Sequence, residues 1–309
     1  MLQKYDNANA DIRYSVNGQL FRRSEAGISP FDSVVQGGDA VWEGLRLYEG
    51  RIFRLTEHLN RLRNSAKALA FAEIPTDETI IAAIRAVLVA NRMYDGVHVR
   101  LTLTRGVKIT SGMDPRLNRS GPTLIVLPEF KPPVYDKSGL KLATASVRRP
   151  GPDVMDPKIH HNNLINSILA KIEATLAGAD DAVMLDSRGF VAETNATHLF
   201  LVSGGILRTP RAIACPEGIT REAVLQIADS LGLPAVVEDL SLVDFYRADE
   251  VFCTGTMGEL APVTTIDSRP IGSGRTGPVT IRLSEAFAAR VAVEGNVVVT
   301  RDMLEQASS

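Results

Sequence analysis

At 309 residues the chain exceeds one ordinary small domain and fits one large or two medium ones. A composition of 45% hydrophobic and 23% charged residues with formal net charge −2 is that of a soluble globular protein. It offers nothing to attract nucleic acid or an anionic membrane. The longest apolar runs, AIRAVLVA and HLFLV, fall far short of the ~20 residues a bilayer span requires, and no basic and then apolar leader opens the chain. Cys215 and Cys253 lack metal-type spacing and read as reduced thiols of a cytoplasmic protein.

In chain order, Tyr14 to Phe21 reads as a hairpin turning at Asn17-Gly18, and Val41 to Tyr48 with Arg51 to Arg54 as a second, turning at Glu49-Gly50. Thr56 is placed to cap the helix LTEHLNRLRNSAKALAF, whose Leu59, Leu62, Ala66 and Leu69 recur at helical spacing. A helix over Asp77 to Asn91 and the strands VHVRLTLTR and TLIVLPE follow. Between those strands, residues 105–121 are polar, rich in Gly and Pro and aperiodic, the composition of a mobile loop or gate. The adjacent prolines of FKPPVYDKSG mark a linker.

The second half opens with a strand near Leu140–Val147 and a helix from about Asn162 to Ala177. The strand-like runs AVMLD, FVAET and HLFLV come next, then helices around Thr220–Leu231 and Thr280–Ala292. Two α+β domains result: residues 1–130, a linker over 131–139, and a larger domain over 140–309, with a site expected in the cleft between them.

There are eight lysines against twenty-six arginines, and none follows Lys171, so lysine-dependent chemistry has few candidates. His160 and His161 are adjacent, so their side chains diverge, and no metal partner stands at ligand spacing; no metal is expected.

Five blocks in order are more specific than any single motif. From Gly38 the chain reads GDAVWEGLRLYEGRIFRLTEHLNRLRNSAKAL. KIHHNNLINSILAKIEA starts at Lys158, AVMLDSRGFVAETNATHLFLV at Ala182, PEGITREAVLQIA at Pro216, and DEVFCTGTMGELAPVTTID at Asp249. Together they resemble the class IV, or fold type IV, aminotransferases, in particular the branched-chain amino-acid enzymes, over about residues 12–295.

The resemblance implies an α+β fold type IV enzyme, homodimeric, with pyridoxal 5′-phosphate at the domain interface. It implies Lys158 as the catalytic lysine that bonds the cofactor as a Schiff base, and Glu193 as the carboxylate on its pyridine nitrogen. Arg61 is implied for the phosphate, where a planar guanidinium can hold two oxygens. Gly218-Ile219-Thr220, ahead of a helix, and Gly255-Thr256-Met257 complete the phosphate cradle. Arg100 is implied near the substrate end, Met257 and Trp42 line the pocket, and Arg46 could serve like Arg100 or as a solvated strand charge. The family's pocket tyrosines are replaced by Gly37 and Asn163, although an Asn amide can still bond the cofactor's ring hydroxyl. Trp42 stands where Phe is commoner. The implied reaction is a ping-pong transfer between a small-molecule amino donor, foremost an aliphatic L-amino acid, and a 2-oxo acid acceptor. D-amino acids, (R)-amines, aminodeoxychorismate elimination and mere cofactor carriage stay as alternatives on the same fold.

Overall fold

The computed structural model describes residues 3–307 except residue 136, so one position of the Pro-Pro segment lies outside the described residues. The chain forms two compact units. One holds residues 4–132 and 159–163 and the chain from Val291 onward; the other holds 133–158 and 164–290.

The first unit begins with β1 (Arg13–Val16), β2 (Gln19–Arg22), α1 (Ser33–Gly37), β3 (Ala40–Tyr48) and β4 (Arg51–Ile52). It continues through α2 (Leu55–Ala68), α3 (Asp77–Ala90), β5 (Val97–Thr104) and β6 (Thr123–Phe130). The second unit carries β7 (Leu140–Thr144), α4 (Ile165–Leu176), β8 (Asp181–Leu185), β9 (Val191–Thr194), β10 (His198–Ser203) and β11 (Ile206–Pro210). Then come α5 (Ile219–Ser230), β12 (Ala235–Glu238), α6 (Leu242–Tyr246), β13 (Glu250–Gly255), β14 (Glu259–Ile266), β15 (Arg269–Pro270) and α7 (Pro278–Val291). The chain closes with β16 (Asn296–Val297) and α8 (Arg301–Gln306).

Seven strands make the first unit's sheet, in the order β16-β4-β3-β5-β6-β1-β2. Both expected hairpins form because Asn17, Gly18, Glu49 and Gly50 take the positive φ that tight two-residue turns need. Gly50 admits no other residue, since a Cβ there would sit 2.3 Å from the Val299 carbonyl oxygen. Alternation along β3 and β5 sends Val41, Leu45, Leu47, Val97, Val99, Leu101 and Leu103 into one core with Leu59 and Leu62 of α2 and Ile84 and Leu88 of α3. Val298 and Val299 join that core and β16 pairs with β4. These contacts attach the C-terminal residues to the N-terminal unit, whereas a single linker at 131–139 would have left them with the other.

Thr56 does not cap α2. The N-cap is Arg54, at φ 52°, with no side-chain cap bond. Residues 105–121 are also tied more closely than an aperiodic loop suggests. The Arg105 guanidinium donates to Asp39 and to the Leu69 and Ala70 carbonyls, Lys108 Nζ donates to the Gly112 carbonyl at 2.6 Å, and Asn118 Nδ2 to the Gly106 carbonyl at 2.6 Å.

The second unit's nine-stranded sheet runs β12-β11-β10-β13-β14-β7-β8-β9, with β15 paired to β14. Two of its parallel pairs, β7–β8 and β11–β12, are bridged by α4 and α5, as parallel neighbours require a crossover. Its main core gathers Leu140, Leu142, Leu199, Leu201, Phe245, Val251 and Val263. The protein is thus α+β throughout, and both cysteines are free and buried.

Candidate active site

In the second unit, chemistry-bearing residues gather around the dipeptide Thr197-His198 at the start of β10. Glu193 on β9 is 2% exposed. Its Oε2 lies 4.0 Å from His198 Nδ1, and the Arg149 guanidinium donates to Oε1. A Cβ on Gly218 would stand 2.3 Å from the His198 ring, and one on Gly255 would stand 3.0 Å from the Thr197 methyl. The two glycine turns therefore pack on one dipeptide, and Glu193 faces the same histidine. Replacing Gly218 by Ala is expected to destabilise the protein by about 1–3 kcal/mol through overpacking, measurable by urea unfolding.

Gly218 is the N-cap of α5 and brings no side-chain bond to the first-turn N–H groups of Ile219 and Thr220. Those donors, with the partial positive charge of the helix end, suit an anion. Thr220 is buried beside them. Gly255, Thr256 and Met257 turn the chain from β13 into β14, and the Met257 carbonyl accepts from the Val134 N–H at 3.0 Å. Just before this turn, the hydroxyl of fully buried Thr254 has no bond among the described residues. Lys158 ends the unit's segment 133–158. Its side chain is exposed, and its backbone N–H donates to Asp156 Oδ1 at 3.0 Å. The following helix starts at Ile165 rather than near residue 162.

In the first unit, residues 159–163 run along the free edge of β3. Trp42 N–H donates to the His160 carbonyl, and Asn162 N–H to that of Ala40, each at 2.9 Å. On the face of β3 away from α2, the Arg100 guanidinium lies 3.4 Å over the Trp42 ring, which stacks on His160 at 4.3 Å. Arg100 Nη2 donates to Asn162 Oδ1 at 2.8 Å, and burial lowers its pKa to about 10, leaving it cationic at neutral pH. Asn163 Nδ2 donates to the Gly38 carbonyl at 3.1 Å, while a Cβ on neighbouring Gly37 would meet nothing within 4 Å. His98, two residues before Arg100, is buried with neither ring nitrogen bonded among the described residues. Its pKa falls to about 3 through burial and the charges of Lys131, Arg100 and Arg46, so the ring is neutral.

Arg61 sits on α2 and meets a carboxylate of the protein itself. Its Nε donates to Glu43 Oε1 at 2.8 Å and its Nη2 to Oε2 at 2.7 Å. His58 Nδ1 lies 2.6 Å from the same Oε2, and His160 Nδ1 3.4 Å from Oε1. Burial pushes the fully enclosed Glu43 carboxyl upward, but Arg61 foremost outweighs it and holds the group well below the usual carboxylate range. Two of the three guanidinium nitrogens of Arg61 are thereby committed.

The sequence-expected residues thus form two groups: Glu193, Gly218–Thr220 and Gly255–Met257 in one unit, and Trp42, Arg100 and Asn163 in the other, with Arg61 on the opposite side of β3 from Trp42. Sequence reasoning missed Arg149, Glu43 and His98. For Glu43 a signal existed, since it alternates with Val41 and Leu45 and so points into the core, where a carboxylate needs a cation.

The family model for class IV amino-transferases matches residues 40–266. Branched-chain-amino-acid aminotransferase-like protein 2 of Arabidopsis thaliana is 54% identical over 280 residues, 90% of this chain but 50% of that protein. The chain spans about half the length of the curated Arabidopsis thaliana relatives it matches. The branched-chain-amino-acid aminotransferase of Escherichia coli strain K12 is 31% identical, with 88% of this chain and 90% of that protein covered. Among solved structures, a T.th. branched-chain amino acid aminotransferase in complex with N-(5′-phosphopyridoxyl)-L-glutamate shares 37% identity and a TM-score of 0.83, covering 91% of this chain and 94% of that one. Matched along most of its length in sequence and fold, the chain belongs to the class IV aminotransferases.

Proposed function

We propose that this chain is a pyridoxal-phosphate-dependent aminotransferase that moves amino groups between aliphatic L-amino acids and 2-oxo acids. The observation that carries the reading is the packing of Glu193, Gly218 and Gly255 around Thr197-His198.

The residues fit this cofactor. A phosphate needs convergent donors, and the uncapped N–H groups of α5 and the Thr254 hydroxyl, unbonded among the described residues, offer them. A pyridine nitrogen needs a carboxylate out of water, and Glu193 is one. When bound, pyridoxal phosphate supplies an aldehyde carbon that takes up the amino group and a ring that spreads the charge left when the α-proton departs. Lys158 would hold that carbon through its Nζ, and the same Nζ, when free, would serve as the base for the substrate's α-proton. Glu193 keeps a proton on the ring nitrogen. Arg100, fixed over Trp42, offers a cation to a substrate carboxylate, and neutral His98 a hydrogen bond beside it. Arg61, oriented by Glu43, is assigned to the phosphate. Asn163 is assigned to the ring hydroxyl, and Gly37 and Trp42 to the side-chain pocket.

Half-reactions with a donor panel, read as loss of the bound cofactor's visible absorbance, test the proposal. L-leucine and L-valine are expected to bleach it faster than D-alanine or an (R)-amine; the reverse order would overturn the substrate assignment, and pyruvate release without an acceptor would indicate elimination.

We further assign the working unit to a homodimer in the cytoplasm. On α4 the small Ala170 and Ala174 face inward, while Ile165, Ile168, Leu169, Ile172 and Leu176 stand 46–84% exposed at helical spacing. A second copy of the chain is the occupant proposed for that stripe. Leu169→Lys with Ile172→Lys is expected to turn a dimer into a monomer in light scattering; a monomeric wild type would refute the assignment. Among the described residues no helix is long and apolar enough to cross a membrane.

A further inference from the structure

Arg149 lies beyond the end of β7 and outside every sequence block that carries the family resemblance. Its backbone is pinned, since its N–H donates to the Leu185 carbonyl at 2.9 Å and the preceding Arg148 carbonyl accepts from Asn166 Nδ2 at 2.9 Å. Its guanidinium is nearly enclosed and spans two elements: Nη1 donates to Ser167 Oγ on α4 at 3.1 Å, and Nη2 donates to Glu193 Oε1 on β9. Nε has no bond among the described residues. Burial lowers the Arg149 pKa to about 10 and raises that of nearby Cys215 to about 11, so at neutral pH the first is a cation and the second an uncharged thiol. The Glu193 carboxyl is therefore the acidic group that meets the Arg149 cation.

A carboxylate facing a pyridinium in dry surroundings has an alternative: the proton can cross to the carboxyl oxygen and leave two neutral groups, which burial favours. A cation on the other carboxylate oxygen removes that alternative by stabilising the anion.

We propose that Arg149 is a positioning residue, which holds Glu193 as an aimed anion and so keeps the proton on the ring nitrogen of bound pyridoxal phosphate. The role rests on the function proposed above. It makes the strength of the ring as an electron acceptor depend on a residue that acts through Glu193.

The test uses the holoenzyme loaded with cofactor isotopically labelled at the ring nitrogen, whose NMR signal separates pyridinium from pyridine. Wild type is expected at the pyridinium position. Arg149→Met and Arg149→Gln are expected to move the signal towards free pyridine, and Arg149→Lys to keep it near wild type. Signals of Arg149→Met and Arg149→Gln identical to wild type would overturn the role. Should Arg149→Met not fold, the comparison of Arg149→Gln with Arg149→Lys decides, equal pyridinium signals in both refuting the proposal. A merely structural arginine would change unfolding without moving the ring proton. The outcomes stay separable: a wild type that takes up no cofactor refutes the proposed function, whereas a loaded wild type with unresponsive variants refutes only the role of Arg149.

Discussion

Lys158→Ala is expected to slow amino transfer by at least about 100- to 10,000-fold, the range ascribed to one positioned proton-transfer group. It is also expected to leave unfolding within about 0.5 kcal/mol of wild type. The two halves follow from the same geometry. The Lys158 side chain is exposed, and its one hydrogen bond among the described residues, to Asp156, comes from the backbone N–H, which alanine retains. Little folding energy is at stake, whereas the proposed reaction would lose its covalent anchor and its base together. Urea unfolding and single-turnover absorbance on one preparation separate the two effects. A variant that unfolds early, or transfers amino groups at the wild-type rate, would contradict the assignment.

Removing the Glu43 carboxylate should have the largest effect on stability. Glu43→Ala leaves Arg61 without the carboxylate that takes two of its nitrogens, and stripping one partner from a buried pair costs about 3–5 kcal/mol. The acid branch of the stability curve carries a sign that can be checked. The folded-state pKa of Glu43 is depressed relative to an unfolded value near ~4.3, so its contribution is fully present above that pH. It is lost progressively as pH falls towards the lower folded value. Glu43→Gln titrates nowhere in that window. The gap in unfolding free energy between wild type and Glu43→Gln is therefore expected to be constant above about pH 5 and to shrink below about pH 4. A gap that widens on acidification would contradict a depressed pKa. Loss of phosphate affinity beyond the loss of stability would support the further view that Glu43 aims Arg61.

Local rules made much of this legible in the sequence. The hairpins at Asn17-Gly18 and Glu49-Gly50 were readable because few residues tolerate the required positive φ, and α3 and α5 because their apolar residues recur with helical period. The cap of α2 was misread because Thr56 is the commoner capping type, whereas the fold places Arg54 there in a left-handed conformation. The return of the C-terminal residues to the first unit was not legible, because β16 is two residues long and its pairing with β4 spans most of the chain. Within the candidate site, Glu193 and the two glycine turns stood out through their blocks, but what braces them did not. Arg149 reaches Glu193 across 44 positions of sequence, and only the sheet order that sets β7, β8 and β9 side by side makes that contact.

Reducing an active holoenzyme preparation with borohydride and mapping its peptides tests the account most directly. A pyridoxyl group is expected on the side-chain nitrogen of Lys158 and on no other lysine. A label on any of the other seven, or full activity with no label at all, would contradict it.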